Sequence, residues 1–162
     1  MTDEMLNRIA DAVAREIGGA DNGSIGLKRA KRLIELVEKR ASELGVNAVV
    51  AVSDGGARPV AAECMDNAYI ASFDIALNKS YTAVALKMPT VKLKNLAQPG
   101  GSLYGIQFTN NGKIVVFGGG DLLVYKGRII GGIGVSGGTE EQDTALSAYG
   151  ASCFEQIMKG EK

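Results

Sequence analysis

Residues 131–138 read Gly-Gly-Ile-Gly-Val-Ser-Gly-Gly and lead straight into Thr139-Glu140-Glu141-Gln142. The second segment fits a capping box, in which a Thr side chain and a Gln three residues later satisfy the first free amides of a helix. The first segment follows Arg128-Ile129-Ile130 and supplies further β-branched residues, which are typical of a strand. The sequence therefore predicts a strand over 128–135, a glycine-rich turn and a last helix.

Outward from this stretch, apolar segments alternate with turn residues and predict a sheet. Asp54-Gly55-Gly56 separates two apolar segments and predicts a hairpin, and Lys126-Gly127 predicts a second tight turn. The predicted strands cover residues 46–53, 59–64, 113–117, 122–125 and 128–135. Because short turns join the strands within each group, we expect a five-stranded sheet that is largely antiparallel.

The remaining segments carry apolar residues at helical spacing. The predicted helices cover residues 1–17, 24–44, 66–87, 90–96 and 139 onward, with a loop from 18 to 23. Ser24 is the expected N-cap of the second helix, and Gly45 is expected to end it. Helices that cover an antiparallel sheet indicate an α+β fold, and a length of 162 residues suits a single domain, 1–162.

Composition argues against several kinds of partner. The 18 basic and 18 acidic side chains balance, so no long-range field attracts a polyanion and we expect no nucleic-acid partner. The longest apolar runs, such as 48–52, are far shorter than the roughly 20 residues of a membrane-spanning helix, so we expect no membrane partner. Cys64 and Cys153 match no metal or redox spacing, and without a signal peptide we expect free thiols in the cytoplasm.

The chain contains no histidine. This removes the commonest general base near neutral pH, the commonest metal ligand and any Ser/His or Cys/His pair. Asp54 and Asp66 either pair as two carboxylates with separated pKa values or act as a turn residue and a helix N-cap. Lys79 lies on the apolar stripe of its predicted helix, so it either holds an acidic ligand or forms an ion pair.

The glycine-rich run is the main candidate for a ligand site. Its glycines let backbone amides converge, and the next helix adds free N-terminal amides, so an anion would be stabilised there. The expected ligand-binding residues of the run are Gly134, Ser136, Gly137, Gly138 and Thr139. A phosphate loop needs a Lys beside Ser or Thr, and a dinucleotide fingerprint needs a parallel βαβ unit, so both are excluded. The alternative is that the glycines only let a strand pass close to a helix.

A second glycine cluster, Gly118-Gly119-Gly120-Asp121, lies just before a predicted strand. It needs the same conformational freedom, so it is either a turn or a further part of the ligand site. Under the second interpretation Gly119 and Gly120, with Asp66 and Lys79, complete the expected ligand-binding set. The sequence indicates no catalytic residue with its base and leaves metal ligands undefined.

Five segments of the chain match a known family in order and spacing. They are Ser53-Asp54-Gly55-Gly56, Met65-Asp66-Asn67-Ala68, Lys79-Ser80 with Thr82-Ala83, Phe117-Gly118-Gly119-Gly120, and Ile130 to Gly138 with Gln142-Asp143. Together they resemble the GlcG/HbpS family, and residues 98–105 with Thr109-Asn110 resemble its branch of PduO-type C-terminal domains. The resemblance runs from about residue 25 to the end and leaves residues 1–23 outside.

The resemblance implies a profilin-like fold with a five-stranded antiparallel sheet flanked by helices, and a homo-oligomer. It also implies haem or a corrinoid as ligand; without histidine, a Tyr, Met, Cys or Thr/Ser oxygen would be the axial ligand of haem. The family's Arg-Met-Asp is here Cys64-Met65-Asp66, which removes a cation. Its Gly-Gly-Leu-Pro is here Gly119-Gly120-Asp121-Leu122, which places a carboxylate near the implied ligand region.

Two functions follow from these observations. The first is a small-ligand-binding accessory protein of a catabolic or microcompartment-associated pathway, without catalytic activity of its own. The second is an enzyme that acts on a small acid or aldehyde through Asp54, Asp66 or Lys79. Adenosyltransferase activity belongs to a separate domain of the PduO-type proteins, so the resemblance does not imply it here.

Overall fold

The computed structural model describes residues 2–19 and 24–160. Its helices are α1 (Asp3–Gly19), α2 (Leu27–Glu43), α3 (Ser72–Leu86), α4 (Thr90–Leu96) and α5 (Glu140–Lys159). Its strands are β1 (Val49–Asp54), β2 (Pro59–Cys64), β3 (Gly120–Tyr125) and β4 (Arg128–Ser136). The predicted α+β class is confirmed. Met1 and the predicted loop residues 20–23 lie outside the described residues, and α1 continues through Gly18 and Gly19, where we had predicted its end.

The four strands form one antiparallel sheet in the order β2-β1-β4-β3. Both predicted tight turns are present, since β1 pairs with β2 and β3 pairs with β4. The glycine-rich β4 lies inside the sheet, with Val49 opposite Ser136 and Asp54 opposite Gly131. Most of the glycine-rich run, residues 131–136, is therefore part of a central strand.

The predicted fifth strand, Lys113–Phe117, is wrong: this segment pairs with no strand in the described part of the chain. Side-chain oxygens, and not a neighbouring strand, accept the backbone amides of this region. The Val115 amide donates to Thr82 Oγ1 at 3.0 Å, and the Gly118 amide donates to Glu140 Oε1 at 3.0 Å. Because α3 and α5 supply these polar partners, the segment packs its apolar residues without pairing as a strand.

The sheet separates two layers of helices. Helices α2 and α5 cover one face and enclose the main core, which includes Leu33, Val37, Ile133 and Phe154. Helix α3 covers the other face, where β4 presents glycines at alternate positions. A Cβ at Gly134 would lie 2.0 Å from the carbonyl oxygen of Ala76. The absence of side chains on this face of β4 therefore lets the backbone of α3 lie directly on the sheet.

The helix ends follow the predictions in part. The Thr139–Gln142 capping box is present in α5, and Gly45 follows α2 with a φ of 68°. Ser24 does not cap α2, whose N-cap is Gly26; its hydroxyl instead lies 3.4 Å from the Ile130 carbonyl. Asp66 does not cap α3 either, because residues 66–71 form turns and the helix begins six residues later than predicted, at Ser72.

Helix α1 differs from the others in its exposure. Its apolar side chains Met5, Leu6, Ile9 and Val13 are 45–54% exposed. They lie at the helical spacing that the sequence predicted, so α1 presents an amphipathic surface. Within the described ranges, no helix is both long and apolar enough to span a lipid bilayer.

Candidate functional site

The glycine run and α5 meet at a fully buried lysine. Lys79 lies on the side of α3 that faces the sheet, and its Nζ donates to Asp143 Oδ2 at 2.9 Å and to the Val135 carbonyl at 2.8 Å. The same Nζ lies 5.0 Å from the ring centroid of Phe117. Of the two alternatives for Lys79, the structure contains the ion pair, and the pair joins α3, β4 and α5.

Burial lowers the pKa of Lys79, while the neighbouring Asp143 carboxylate acts in the opposite direction. An ammonium taken out of water is unfavourable unless an opposite charge and hydrogen-bond acceptors surround it. Asp143 supplies that charge from the first turns of α5. Lys79 and Asp143 are thus committed to each other and leave no accessible charge at this point.

Asp143 also occupies the place expected for an anionic ligand. Its Oδ1 accepts the Gly138 amide at 2.9 Å, and Gln142 Oε1 accepts the Thr139 amide at 2.9 Å. The expectation of free amides at the end of the glycine run is therefore wrong for Gly138 and Thr139. The physical reason is that α5 begins with its own acceptors, which satisfy the amides that a phosphate or carboxylate would need.

The second glycine cluster passes directly over Lys79. Gly119 has a φ of 109°, and a Cβ there would lie 2.6 Å from Lys79 Nζ. The Gly120 amide donates to Thr90 Oγ1 at 2.9 Å, and a Cβ at Gly120 would lie 2.6 Å from the Lys79 carbonyl oxygen. The structure brings Gly119, Gly120, Gly134 and Lys79 together, but in close packing rather than around an open cavity.

Ser136 and Asp66, which the sequence analysis also proposed, lie apart from this cluster. Ser136 is buried at the end of β4 and donates to Ser72 Oγ at 3.1 Å. Asp66 is exposed after β2, at the end of the hairpin opposite Asp54. The two carboxylates therefore do not pair.

Asp54 acts as the turn residue of the first hairpin. Burial raises its pKa, but the Arg58 and Gly56 amides and the Arg58 guanidinium outweigh burial and hold the pKa below its usual value. The Gly56 amide donates to Asp54 Oδ1 at 2.8 Å, and Arg58 Nε donates to Oδ2 at 3.0 Å. These bonds fix the turn, which is the structural one of the two alternatives predicted for Asp54.

Asp121, the carboxylate at a departure from the family pattern, points toward the middle of α5. Ser147 Oγ donates to its Oδ2 at 2.7 Å. Burial raises the pKa of Asp121, and this hydrogen bond only partly opposes the rise. Asp121 is thus part of the packing between β3 and α5.

An open cavity lies where the glycine run reaches the surface, and we name it the α5 cleft. Its volume is about 220 Å³. It is lined by Gly45, Val46, Asn47, Asn67, Tyr69, Gly137, Gly138 and Gln142. Among the described residues its lining contains no charged side chain, and it presents three side-chain amides and the Tyr69 hydroxyl. Such a surface suits an uncharged molecule that both donates and accepts hydrogen bonds.

Gly137 and Gly138 are the two residues of this lining that the sequence predicted, whereas the amide side chains were not predicted. Asn67 adopts a φ of 65° in the turn before α3, a conformation that Asn tolerates better than most residues. Asn47 and Asn67 are brought together only because β1 and β2 pair, with Val49 opposite Cys64. Asn67 lies within a segment that matches the family, which was the available signal.

A second cavity, the α4/α5 groove, has a volume of about 430 Å³. It is lined by Val91, Lys94, Glu140, Glu141, Thr144, Ala145 and Ala148. Lys94 Nζ forms an ion pair with Glu140, and this hydrogen bond holds the pKa of Glu140 below its usual value. The lining thus combines apolar side chains with the Lys94–Glu140 pair and Glu141.

The chain belongs to the HbpS-like family. The family model, described as haem degrading protein HbpS-like, matches residues 25–152. A 15.0 kDa protein of the dhaT-dhaS intergenic region of Citrobacter freundii is 43% identical over 134 residues, which cover 83% of this chain and 94% of that protein. The corrinoid adenosyltransferase PduO of Citrobacter freundii is 38% identical over 76% of this chain, but the match spans only 37% of PduO.

One solved structure relates the fold to a ligand. The crystal structure of a PduOC:haem complex superimposes with a TM-score of 0.76 and 35% identity, covering 80% of this chain and 94% of that chain. The family that the sequence motifs resemble is therefore confirmed. One protein of similar fold, PduOC, has been crystallised with haem.

Neither the α5 cleft nor the α4/α5 groove fits a haem whose iron is bound by a protein side chain. The α5 cleft offers Tyr69 as a ligand, but its volume of about 220 Å³ lies below the roughly 300–1,000 Å³ of sites for drug-sized ligands. The α4/α5 groove is larger, but the Lys94 ammonium in its lining is paired with Glu140, and Glu141 would repel the haem propionates. The oxygen that it offers for iron, Thr144 Oγ1, is buried and lacks a hydrogen-bond partner among the described residues.

Proposed function

We propose that this chain is a small-ligand-binding accessory protein without catalytic activity of its own, and that the α5 cleft is its binding site. The observation that carries the proposal is that the cleft is open and lined by neutral hydrogen-bonding groups. By contrast, the acidic and basic side chains with shifted pKa values hold the fold together. Lys79 is paired with Asp143 and Asp54 with Arg58, so an enzyme using these residues would first have to break structural contacts.

The cleft favours an uncharged ligand with several hydroxyl or amide groups. The Gly138 and Thr139 amides already donate within α5, so they are not free for an anion. In the first turn of α5, Asp143 is paired with Lys79 and Glu140 with Lys94, and Glu141 adds a further negative charge. A small carboxylate or phosphate is therefore disfavoured, and a short polyol or amide fits the lining.

Haem or a corrinoid is the second candidate ligand, and one observation favours it. The relative whose structure contains haem is 35% identical and shares 80% of this chain. A tetrapyrrole would need a surface other than the α5 cleft and the α4/α5 groove. The titration described below separates this candidate from the first.

The similarity to PduO and to the protein of the dhaT-dhaS region supports the proposed role in a catabolic pathway. We place the chain as an accessory component of a catabolic pathway, in the cytoplasm or inside a bacterial microcompartment, and as a homo-oligomer. Corrinoid adenosyl transfer is left out of the proposal.

The first test compares ligands by isothermal titration calorimetry. Glycerol, 1,2-propanediol and acetamide represent uncharged ligands, and glycolate and inorganic phosphate represent anions. We expect a binding preference for the uncharged set. The Asn67→Gly variant removes one amide from the cleft while keeping a residue that tolerates its φ of 65°, and we expect weaker binding.

Asn111→Gly is the matched control, because Asn111 also has a positive φ, 55°, and lies away from the cleft. Equal affinity of both variants, or preference for the anions, would contradict the proposed site. In a parallel titration, a stoichiometric Soret shift with haem would support the second candidate, and an unshifted spectrum would remove it.

A further inference from the structure

The orientation of one side-chain amide in the α5 cleft, that of Gln142, is fixed by the fold. Gln142 Oε1 accepts the Thr139 amide at 2.9 Å, so the oxygen end of the side chain is committed to the start of α5. An amide group has an acceptor at one end and two donor hydrogens at the other. The end of Gln142 that stays available to a molecule in the cleft is therefore its donor, Nε2.

Two further contacts hold the Gln142 side chain in this position. The backbone amide of Gln142 donates to Thr139 Oγ1 at 3.2 Å, which completes the capping box. The side chain also packs closely over Gly138, where an added Cβ would lie 2.7 Å from Gln142 Oε1 and 2.9 Å from Gln142 Cβ. Because the donor is held before any ligand arrives, a ligand that uses it loses little conformational freedom of the protein on binding.

The other polar side chains of the cleft have no such fixed orientation. Asn47 and Asn67 are exposed, and neither side-chain amide makes a hydrogen bond within the described ranges. Each can turn its oxygen or its nitrogen toward a ligand, and the Tyr69 hydroxyl can donate or accept. Gln142 is thus the group that determines which kind of atom is favoured at the α5 end of the cleft.

Nε2 takes the place of backbone donors that the helix start has used. The Gly138 amide is bound by Asp143, and the Thr139 amide is bound by Gln142 itself. The capping box therefore removes a backbone donor from the cleft and presents a side-chain donor instead. The natural partner of Nε2 is an oxygen acceptor, whereas a group that can only donate would leave both donors without a partner.

We propose that Gln142 is a specificity-determining residue of the α5 cleft, where its Nε2 donates to a carbonyl, ether or hydroxyl oxygen of the ligand. The inference rests on the proposed function, because it takes the α5 cleft as the binding site. It adds a requirement to that function: the ligand carries an oxygen acceptor, and an ammonium compound without one is rejected.

The experiment compares two probes by isothermal titration calorimetry at pH 7. N,N-dimethylacetamide has a carbonyl acceptor and no donor, and methylammonium has donors and no acceptor. Gln142→Glu keeps the capping box, in which Glu serves as well as Gln, but replaces Nε2 by an acceptor oxygen. We expect wild type to prefer dimethylacetamide. The variant should bind it at least about tenfold more weakly and should prefer methylammonium.

Gln156→Glu is the matched control. It makes the same change of charge on the same helix, at an exposed residue outside the cleft lining. Both affinities should stay at the wild-type values, so the control separates the loss of Nε2 from a general attraction of methylammonium to added negative charge. Urea denaturation of both variants at pH 7 checks that the fold is kept.

A second readout uses the wild-type chain and needs no variant. The side-chain amide resonances of Gln142 in a ¹H–¹⁵N correlation spectrum should shift on titration with dimethylacetamide and stay in place with methylammonium. Shifts confined to the amide resonances of Asn47 and Asn67 would overturn the inference, since the ligand would then bind without Nε2.

Failure of this inference and failure of the proposed function give different results. If Asn67→Gly weakens binding of dimethylacetamide but Gln142→Glu and Gln156→Glu both bind it like wild type, the α5 cleft remains the site and the role of Gln142 is overturned. If wild type binds none of the uncharged probes, or if neither Asn67→Gly nor Gln142→Glu changes their affinity, the proposed site is overturned and this inference with it.

Discussion

Replacing Asp143 by Asn should destabilise the protein more than replacing its partner Lys79 by Met. Asp143→Asn keeps the shape of the side chain and an acceptor for the Gly138 amide, but it leaves the Lys79 ammonium buried without an opposite charge. Removal of one partner from a buried pair costs about 3–5 kcal/mol. Against a domain stability of about 5–15 kcal/mol, this is a large loss.

Lys79→Met should cost less, because the remaining carboxylate keeps other support. Asp143 still accepts the Gly138 amide, lies in the first turns of α5 and retains 6% exposure of its side chain. Methionine also fills most of the apolar volume beside Phe117. We expect a loss of about 1–3 kcal/mol, the range for a buried polar group that loses one partner.

The assay is urea denaturation at pH 7, with the double variant Lys79→Met/Asp143→Asn included. With a urea m-value of about 2 kcal/mol per molar, a loss of about 4 kcal/mol lowers the midpoint by about 2 M. The double variant should lose clearly less than the sum of the single losses, since the second change removes the charge that the first left unpaired. Additive losses, or equal losses for the two single variants, would refute the reasoning.

The pH dependence gives an independent reading of the same pair. Without Asp143, the folded-state pKa of Lys79 should fall further below the ordinary value of 10.5, because burial is then the dominant influence. A lysine whose pKa is lower in the folded state makes the protein more stable as the pH rises from that pKa to 10.5. Asp143→Asn should therefore regain stability relative to wild type in alkaline solution. A constant difference would indicate that Lys79 is neutral in both proteins.

Three further predictions concern other contacts of the fold. Gly134→Ala should cost at least about 1–3 kcal/mol in urea denaturation, because its Cβ would meet the α3 backbone at 2.0 Å. Gly26→Ala meets nothing within 4 Å and should cost less, at most about 1 kcal/mol from the N-cap of α2. Burial raises the pKa of Asp121 above 3.8, so ionisation of this carboxyl destabilises the folded state. As the pH rises from 3.8 to the pKa of the folded state, Asp121→Asn should become more stable relative to wild type, and a difference that does not change with pH would contradict this. The pKa of Asp54 lies below 3.8 in the fold, so the advantage of wild type over Asp54→Asn should shrink as acidification passes below 3.8, as urea midpoints at several pH values would show.

The sequence predicted those structural features whose hydrogen-bond partners are close along the chain. The capping box of α5 joins Thr139 and Gln142, three residues apart, and Asp54 binds amides two and four residues away. Both features need only neighbouring residues, so spacing and residue type predict them. The hairpin turn at Lys126-Gly127 is of the same kind.

Partners that are distant along the chain account for the errors. Residues 113–117 have the composition of a strand, but the Val115 amide is satisfied by Thr82, 33 residues earlier. Lys79 and Asp143 are 64 residues apart. A pattern along the sequence shows that a buried lysine needs an acceptor, but not which carboxylate the topology brings to it.

The glycine-rich run has two structural roles, close packing against α3 and a turn at the surface, and its sequence does not show which glycine has which role. At Gly134 the missing side chain lets α3 lie on the sheet, which brings Lys79 to the end of β4 and makes Asp143 necessary. At Gly138 the same run reaches the surface, but its amide is already taken by Asp143. The close packing at one end therefore determines the chemistry at the other. The buried lysine thus requires the same carboxylate that takes the Gly138 amide, and under the proposed function this leaves the α5 cleft with neutral amide groups for an uncharged ligand.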